Sequence, residues 1–124
     1  MTEGTSRLER EADGAVVAAR VELARTFGKR FLGLMGRAGL APGAALWLEP
    51  ESSIHMMFMR FRIDAVFLDA QGVVLKVVKG LRPWIGVAAC SGSTAIVELA
   101  AGEADRAGLA AGDRLRLRAA SGAG

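Results

Sequence analysis

The sequence predicts an α+β, β-rich domain. It has seven to eight short, mostly antiparallel strands in a compact sandwich or small barrel, with one or two short helices. Three observations predict it. Apolar and polar residues alternate over short runs, the period of a strand with one face in a core. Glycine, proline and aspartate punctuate those runs at short intervals. The strand-like runs follow one another instead of alternating with long helices, which favours antiparallel pairing over βαβ units.

Residues 1–13 are polar and are expected to form a mobile lead, residues 14–120 the single domain, and 121–124 a mobile tail. Gly14 to Leu23 reads as a first strand. From Ala24 the period changes: Phe27, Phe31, Leu34 and Met35 fall at helical spacing, with Thr26 as a cap and Gly33, Gly36 and Pro42-Gly43 as stops. Ala45 to Leu48 is a short strand halted by Pro50, and Ser53 to Met59 reads as another. Ile63 to Asp69 and Val73 to Lys79 form a hairpin whose turn, Asp69-Ala70-Gln71-Gly72, has the acid-first, glycine-last pattern of a type I turn. In its second arm Val73, Leu75 and Val77 share a face, opposite Lys76. Gly86 to Cys90 and Thr94 to Leu99 are strands, the latter with Ala95, Val97 and Leu99 on one side and Glu98 on the other. Ala101 to Leu109 holds a turn or two of helix. Gly112-Asp113 then turns the chain into a last strand, where Arg114, Arg116 and Arg118 alternate with Leu115 and Leu117.

Composition bounds the function. With 124 residues, 52% of them hydrophobic and 23% charged, the chain is one folded domain. No apolar run approaches the ~20 residues of a membrane span. The N-terminal residues carry both signs of charge and lack an apolar segment, so a cytoplasmic location is expected, as the lone thiol also suits. Cys90 alone excludes an intrachain disulfide, and His55 alone excludes two-histidine metal motifs. The net charge of +3 is modest. The arginines of the last strand are the solvated side of a half-buried strand, so neither a nucleic acid nor a membrane is expected as partner. A monomer or weak homo-oligomer is expected.

The chemistry concentrates in residues 53–64, which hold His55, Met56, Met57, Met59, Arg60, Arg62 and Asp64. In an extended segment His55, Met57 and Met59 would share a face, a soft donor set suited to Cu(I), although methionines also fill core gaps. Cys90 could work with His55 only if the fold brings them together. Asp64 stands at the mouth of an apolar strand and needs a partner, for which Arg60 and Arg62 are near in sequence. Either arginine could instead receive a carboxylate or phosphate from a ligand. Trp84, in Arg82-Pro83-Trp84, lies in a loop where an indole covers a core edge or a groove. Trp47, between leucines, reads as packing. Phosphate-cradling glycine motifs are absent and no cofactor is expected. The candidate ligand-binding residues are therefore His55, Arg60, Arg62, Asp64 and Trp84. The first functional expectation is a non-enzymatic binding or accessory module for a small ligand or protein partner. The alternatives are an enzyme using Asp64 with His55 or Arg60, and a Met/His binder of Cu(I).

A resemblance adds to this reading. Gly33-Leu34-Met35, the run from Ser53 to Asp69, Gly72-Val73-Val74, Val97 to Gly102, Gly108-Leu109 and Gly112-Asp113 occur in that order. Over roughly residues 14–118 the chain resembles the domain of unknown function 192 family of small prokaryotic proteins. The resemblance implies a compact β-rich single domain and no established activity. The family usually has proline where this chain has Arg62, and many members have tryptophan at the position of His55, which argues against an essential catalytic histidine.

Overall fold

The computed structural model describes residues 6–26, 39–56 and 59–119. In chain order the elements are β1 (Ser6–Arg10), β2 (Val16–Ala24), β3 (Ala44–Leu48), β4 (Ser53–His55), β5 (Ile63–Leu68), β6 (Val74–Leu81), β7 (Val87–Ala89), β8 (Ala95–Ala100), the single-turn helix α1 (Glu103–Arg106) and β9 (Leu115–Ala119). The described chain is thus β-rich as expected, with nine strands and one short helix. The helix expected from Phe27, Phe31, Leu34 and Met35 lies outside the described residues.

Seven strands form one sheet in the order β6-β5-β8-β3-β2-β1-β9, and β4 and β7 form a separate ribbon. Every pairing in the large sheet is antiparallel except β2 with β3. The sheet curls until its two edge strands meet at one end. There Val74 N–H donates to Asp113 O, Gly112 N–H to Val74 O and Leu115 N–H to Gly72 O. Gly72 has φ 83°, and a side chain there would collide with the Leu115 carbonyl, so glycine is required at the closure.

Two apolar clusters lie on the two faces of this sheet. Leu8, Val17, Val21, Trp47, Val66, Leu68, Val97, Leu99 and Leu115 fill the concave side, where Ala104 of α1 and Leu109 also pack. Leu46, Leu48, Ile63, Ala65, Phe67 and Ile96 line the convex side. Ala88 of the ribbon, with Met56 and Met59 beyond its end, covers them. Burying a side chain such as Phe67 contributes roughly 1.5–3 kcal/mol. Because the ribbon covers the convex face, β5 is buried at every position and β8 at all but its last. Glu98 therefore points away from Ala95, Val97 and Leu99, as alternation requires, and is still buried.

Three local expectations are corrected. Ser6–Arg10 is a paired strand within the segment expected to be a mobile lead, since β1 bonds to β2 on one side and β9 on the other. Extended structure expected through Met59 ends at His55, and Met59 N–H donates to Met56 O. In β6 a register shift between the Phe67–Lys76 and Leu68–Val74 pairs displaces the alternation. Val74 is consequently the buried residue and Leu75 is exposed beside Lys76. The turn or two of helix expected over 101–109 is one turn, Glu103–Arg106.

The hairpin turn follows its sequence. Gly72 N–H donates to Asp69 O at 3.0 Å, while Asp69 Oδ1 accepts from the N–H groups of Gln71 and Val73. Leu115 is buried and Leu117 half-buried, with Arg114, Arg116 and Arg118 exposed between them.

Candidate functional site

Asp64 organises one end of the molecule. Its backbone lies in β5, and it is only 1% exposed. Oδ1 accepts the N–H of Gly80 at 2.9 Å, and Oδ2 accepts those of Gly102 and Ala104, both at 3.0 Å. Gly102 is the N-cap of α1 and has no side chain with which to cap it. A carboxylate from a strand far away in sequence thus supplies the acceptor that a serine or aspartate N-cap normally provides. One side chain ties β5, β6 and the β8–α1 connection together. Carboxylate-to-amide bonds of this kind compensate a buried negative charge without a cation.

This arrangement decides the fate of the nearby arginines. Asp64 forms no hydrogen bond or ion pair with Arg60, Arg62 or His55; its three bonds all go to backbone amides. The other acids at this end are also engaged: Asp105 with Lys79, and Glu103 with Arg106 at 2.8 Å. Asp105, by its hydrogen bond and then its charge, raises the Lys79 ammonium above its ordinary value of 10.5. Arg60, Arg62 and Arg82 are exposed, and none has an ion pair or side-chain hydrogen bond among the described residues.

The backbone gathers these three residues. Ile63 pairs with Leu81, so Arg62 and Arg82 flank the open end of the β5–β6 hairpin. The segments on either side are joined further by Met56 N–H to Gly86 O at 2.8 Å and Trp84 N–H to Met56 O at 2.7 Å. The 82–86 loop is tight. Gly86 N–H donates to Arg82 O, and a Cβ at Gly86 would lie 2.7 Å from that oxygen and 2.8 Å from Met56 Cγ. Within the loop Ile85 N–H donates to Pro83 O while Trp84 has φ 70°. That pair of features makes Trp84 the centre of the rarer, strained form of γ-turn. A strained non-glycine residue persists only where its surroundings hold it, and such residues gather at ligand clamps.

The result is an exposed apolar ridge beside the cations. Trp84 is 56% exposed, and Ile85 and Val87 are each 71% exposed. His55 is exposed directly across the ribbon from Val87.

The structure therefore brings His55, Arg60, Arg62 and Trp84 to one end and turns Asp64 away from them as their scaffold. Sequence reading missed Arg82, Ile85 and Val87. The signal for Arg82 was its place immediately before Pro83 and Trp84, which fixes a loop. Of the expected extended face of His55, Met57 and Met59, β4 ends at the exposed His55, Met57 lies outside the described residues, and Met59 is buried. Among the described residues no group of three His, Cys, Asp or Glu side chains is placed to hold a metal ion. Cys90 bonds through its backbone N–H to Ser52 O, three residues along the ribbon from His55. That is roughly 10 Å of strand, beyond a thiol–imidazole hydrogen bond. Trp47 packs in the concave cluster as expected, with Nε1 donating to Glu49 Oε1 at 3.0 Å.

Comparison with known proteins agrees with this architecture. A model of the DUF192 family, described as an uncharacterized ACR, matches residues 8–117. A UPF0127 protein of Thermococcus sibiricus is 36% identical over 106 residues, which are 82% of this chain and 68% of that protein. A UPF0127 protein of Thermococcus gammatolerans is 40% identical over 78 residues, 60% of this chain and half of the relative. A crystal structure of a Novosphingobium aromaticivorans protein of unknown function superposes with a TM-score of 0.77 at 24% identity, covering 90% of this chain and 83% of that one. A candidate transcription regulator from Sinorhizobium meliloti superposes with a TM-score of 0.80 at 25% identity, covering 92% of each chain.

Proposed function

The chain belongs to the uncharacterised DUF192 family, and we propose that it is a non-enzymatic binding module whose small ligand or protein partner docks on the end formed by His55, Arg60, Arg62, Arg82 and Trp84. One observation carries this reading. Three exposed arginines lack a carboxylate partner among the described residues, beside an indole whose backbone is held in a strained turn. Solvated cations do not require a strained neighbour, whereas a preformed recognition surface benefits from one. Asp64 serves this function indirectly, by fixing Gly80 and the start of α1 and by leaving the arginines uncompensated. A cytoplasmic, monomeric or weakly associating protein fits the reading: Cys90 is half-buried and unpaired. No helix among the described residues is long and apolar enough to cross a membrane.

The test is a thermal-shift screen of metabolites and anions on the wild-type chain and on the Arg60→Gln/Arg62→Gln double variant. Whatever binds only the folded state must raise its stability, by about 2.7 kcal/mol at one hundred times the dissociation constant. A hit on this surface stabilises the wild type and loses most of that effect in the variant. Hits that stabilise both proteins equally would place binding elsewhere and end the proposal.

A further inference from the structure

Building on that binding reading, we infer that the partner is a protein segment: an extended, acidic strand that adds to the open edge of β7, with apolar side chains on Ile85 and Val87 and a carboxylate on Arg82.

The main chain carries this inference. Met56 N–H donates to Gly86 O at 2.8 Å, and Cys90 N–H to Ser52 O at 3.0 Å. In an antiparallel ladder the residues that alternate with such bonded pairs turn their N–H and C=O groups outward. Val87, opposite His55, is one of them, and Ala89, opposite Ser53, is the other. β4 and β7 pair only with each other among the described residues, so no third strand meets those groups. Lys76 Nζ donates to Ala89 O at 3.1 Å, which closes one end of the edge. Both main-chain groups of Val87 remain without a hydrogen bond among the described residues. A residue placed opposite Val87 on an incoming strand exchanges two main-chain bonds with it, as in other strand additions.

Side chains separate this edge from the others. The outer strands of the large sheet carry exposed cations, Lys76 and Lys79 on β6 and Arg116 and Arg118 on β9. Charges of that kind discourage a further strand. β7 carries none, since its residues are Val87, Ala88 and Ala89. Val87 and the preceding Ile85 are each 71% exposed. An edge that is both uncharged and apolar calls for a cover.

Charge names the occupant. Arg82 O accepts the N–H of Gly86 at 3.0 Å, so the arginine backbone is held beside the residue that precedes Val87. Arg82 is exposed and has no ion pair among the described residues. One short segment, 82–87, thus presents a cation and two apolar side chains with its ends tied by a main-chain bond. A second copy of this chain supplies no anion there, because residues 82–94 contain neither aspartate nor glutamate. Pairing β7 with β7 of another copy would leave both arginines unmatched. An acidic strand matches the arginine and is steered by it.

The experiment is fluorescence anisotropy of a labelled peptide of alternating glutamate and valine, titrated with the full chain at low salt. Two controls accompany it. A lysine–valine peptide reverses the charge, and a glutamate–valine peptide methylated at every main-chain nitrogen keeps the charge and removes the donors. The unmodified glutamate peptide is expected to bind roughly tenfold or more tighter than either control. Val87→Lys and Arg82→Gln should each weaken it roughly tenfold with unchanged melting temperatures. The Val87 amide should exchange more slowly with solvent when the peptide is bound. No saturable binding, equal binding of either control, or unchanged affinity in Val87→Lys would each overturn the inference. A dimer in sedimentation that is lost in Val87→Lys would assign the edge to a second copy and overturn it as well. A small ligand whose binding depends on Arg60 and Arg62 and ignores Val87→Lys would overturn the strand while sparing the broader binding proposal.

Discussion

Arginine gathers in two regions of this molecule, and the same side chain behaves differently in each. On the outer face of β1 and β9, Arg7, Arg116 and Arg118 surround Glu9. Glu9 is a 7%-exposed side chain whose oxygens lie 2.7, 3.8 and 3.7 Å from them. Arg7 stands directly opposite Arg118 in the β1–β9 register, a pairing of like charges that is unfavourable alone. Glu9 compensates it. At the other end Arg60, Arg62 and Arg82 have Asp64 close in sequence, yet that carboxylate faces three backbone amides. The contrast shows that the orientation of one acid, more than the count of charges, decides whether a basic cluster is compensated by a carboxylate.

Replacing the two acids breaks the comparison at its roots. Asp64→Ala leaves three amide donors without their acceptor, and a loss of about 3–5 kcal/mol is expected in urea unfolding. Asp64→Asn retains one carbonyl oxygen and should lose roughly half as much. A loss below about 1 kcal/mol for the alanine variant would show that these amides find other partners. Gly86→Ala tests the seat of the open cluster. The added methyl would press on Arg82 O and Met56 Cγ, and a cost of about 1–3 kcal/mol is expected by the same method. Glu9→Gln removes the shared anion of the structural cluster. Its arginines are about half exposed to water, so the loss should be only about 1–2 kcal/mol. It should shrink as salt approaches 1 M, where charges are screened beyond about 3 Å. Arg60→Gln, Arg62→Gln and Arg82→Gln should each change stability by less than about 0.5 kcal/mol, because no partner is left behind.

The smallest effect concerns the Lys79–Asp105 pair beside the open cluster. The folded state raises the lysine above 10.5. Its contribution to stability is therefore complete below that pH and is lost as pH rises through the higher folded value. A melting-temperature profile should fall more steeply above pH 10.5 for the wild type than for Lys79→Met.

Strand positions were legible in the sequence wherever one face meets the core and the other meets water. Leu115 and Leu117 against their arginines, and the Asp69–Gly72 turn, are examples. β1 was not legible, because Arg7, Glu9 and Arg10 read as solvated polar chain until β9 arrives to pair with them. The end of β4 was hidden for a different reason: Met56 and Met59 are apolar enough to continue a strand, and the bonds Met56 makes to the distant Gly86 and Trp84 are not visible in the sequence. His55, Arg60, Arg62 and Trp84 were nominated from residue type alone. The role of Asp64 was visible only in part, since its need for a partner follows from burial, but its partners at Gly80, Gly102 and Ala104 lie 16, 38 and 40 residues away.

An NMR titration with inorganic phosphate compares the two arginine regions within one sample. Saturable shifts are expected in the backbone amides of Arg60, Arg62, Arg82 and Trp84, with those of Arg7, Arg116 and Arg118 unmoved. Shifts that appear first at the cluster around Glu9, or equally at both, would contradict this expectation.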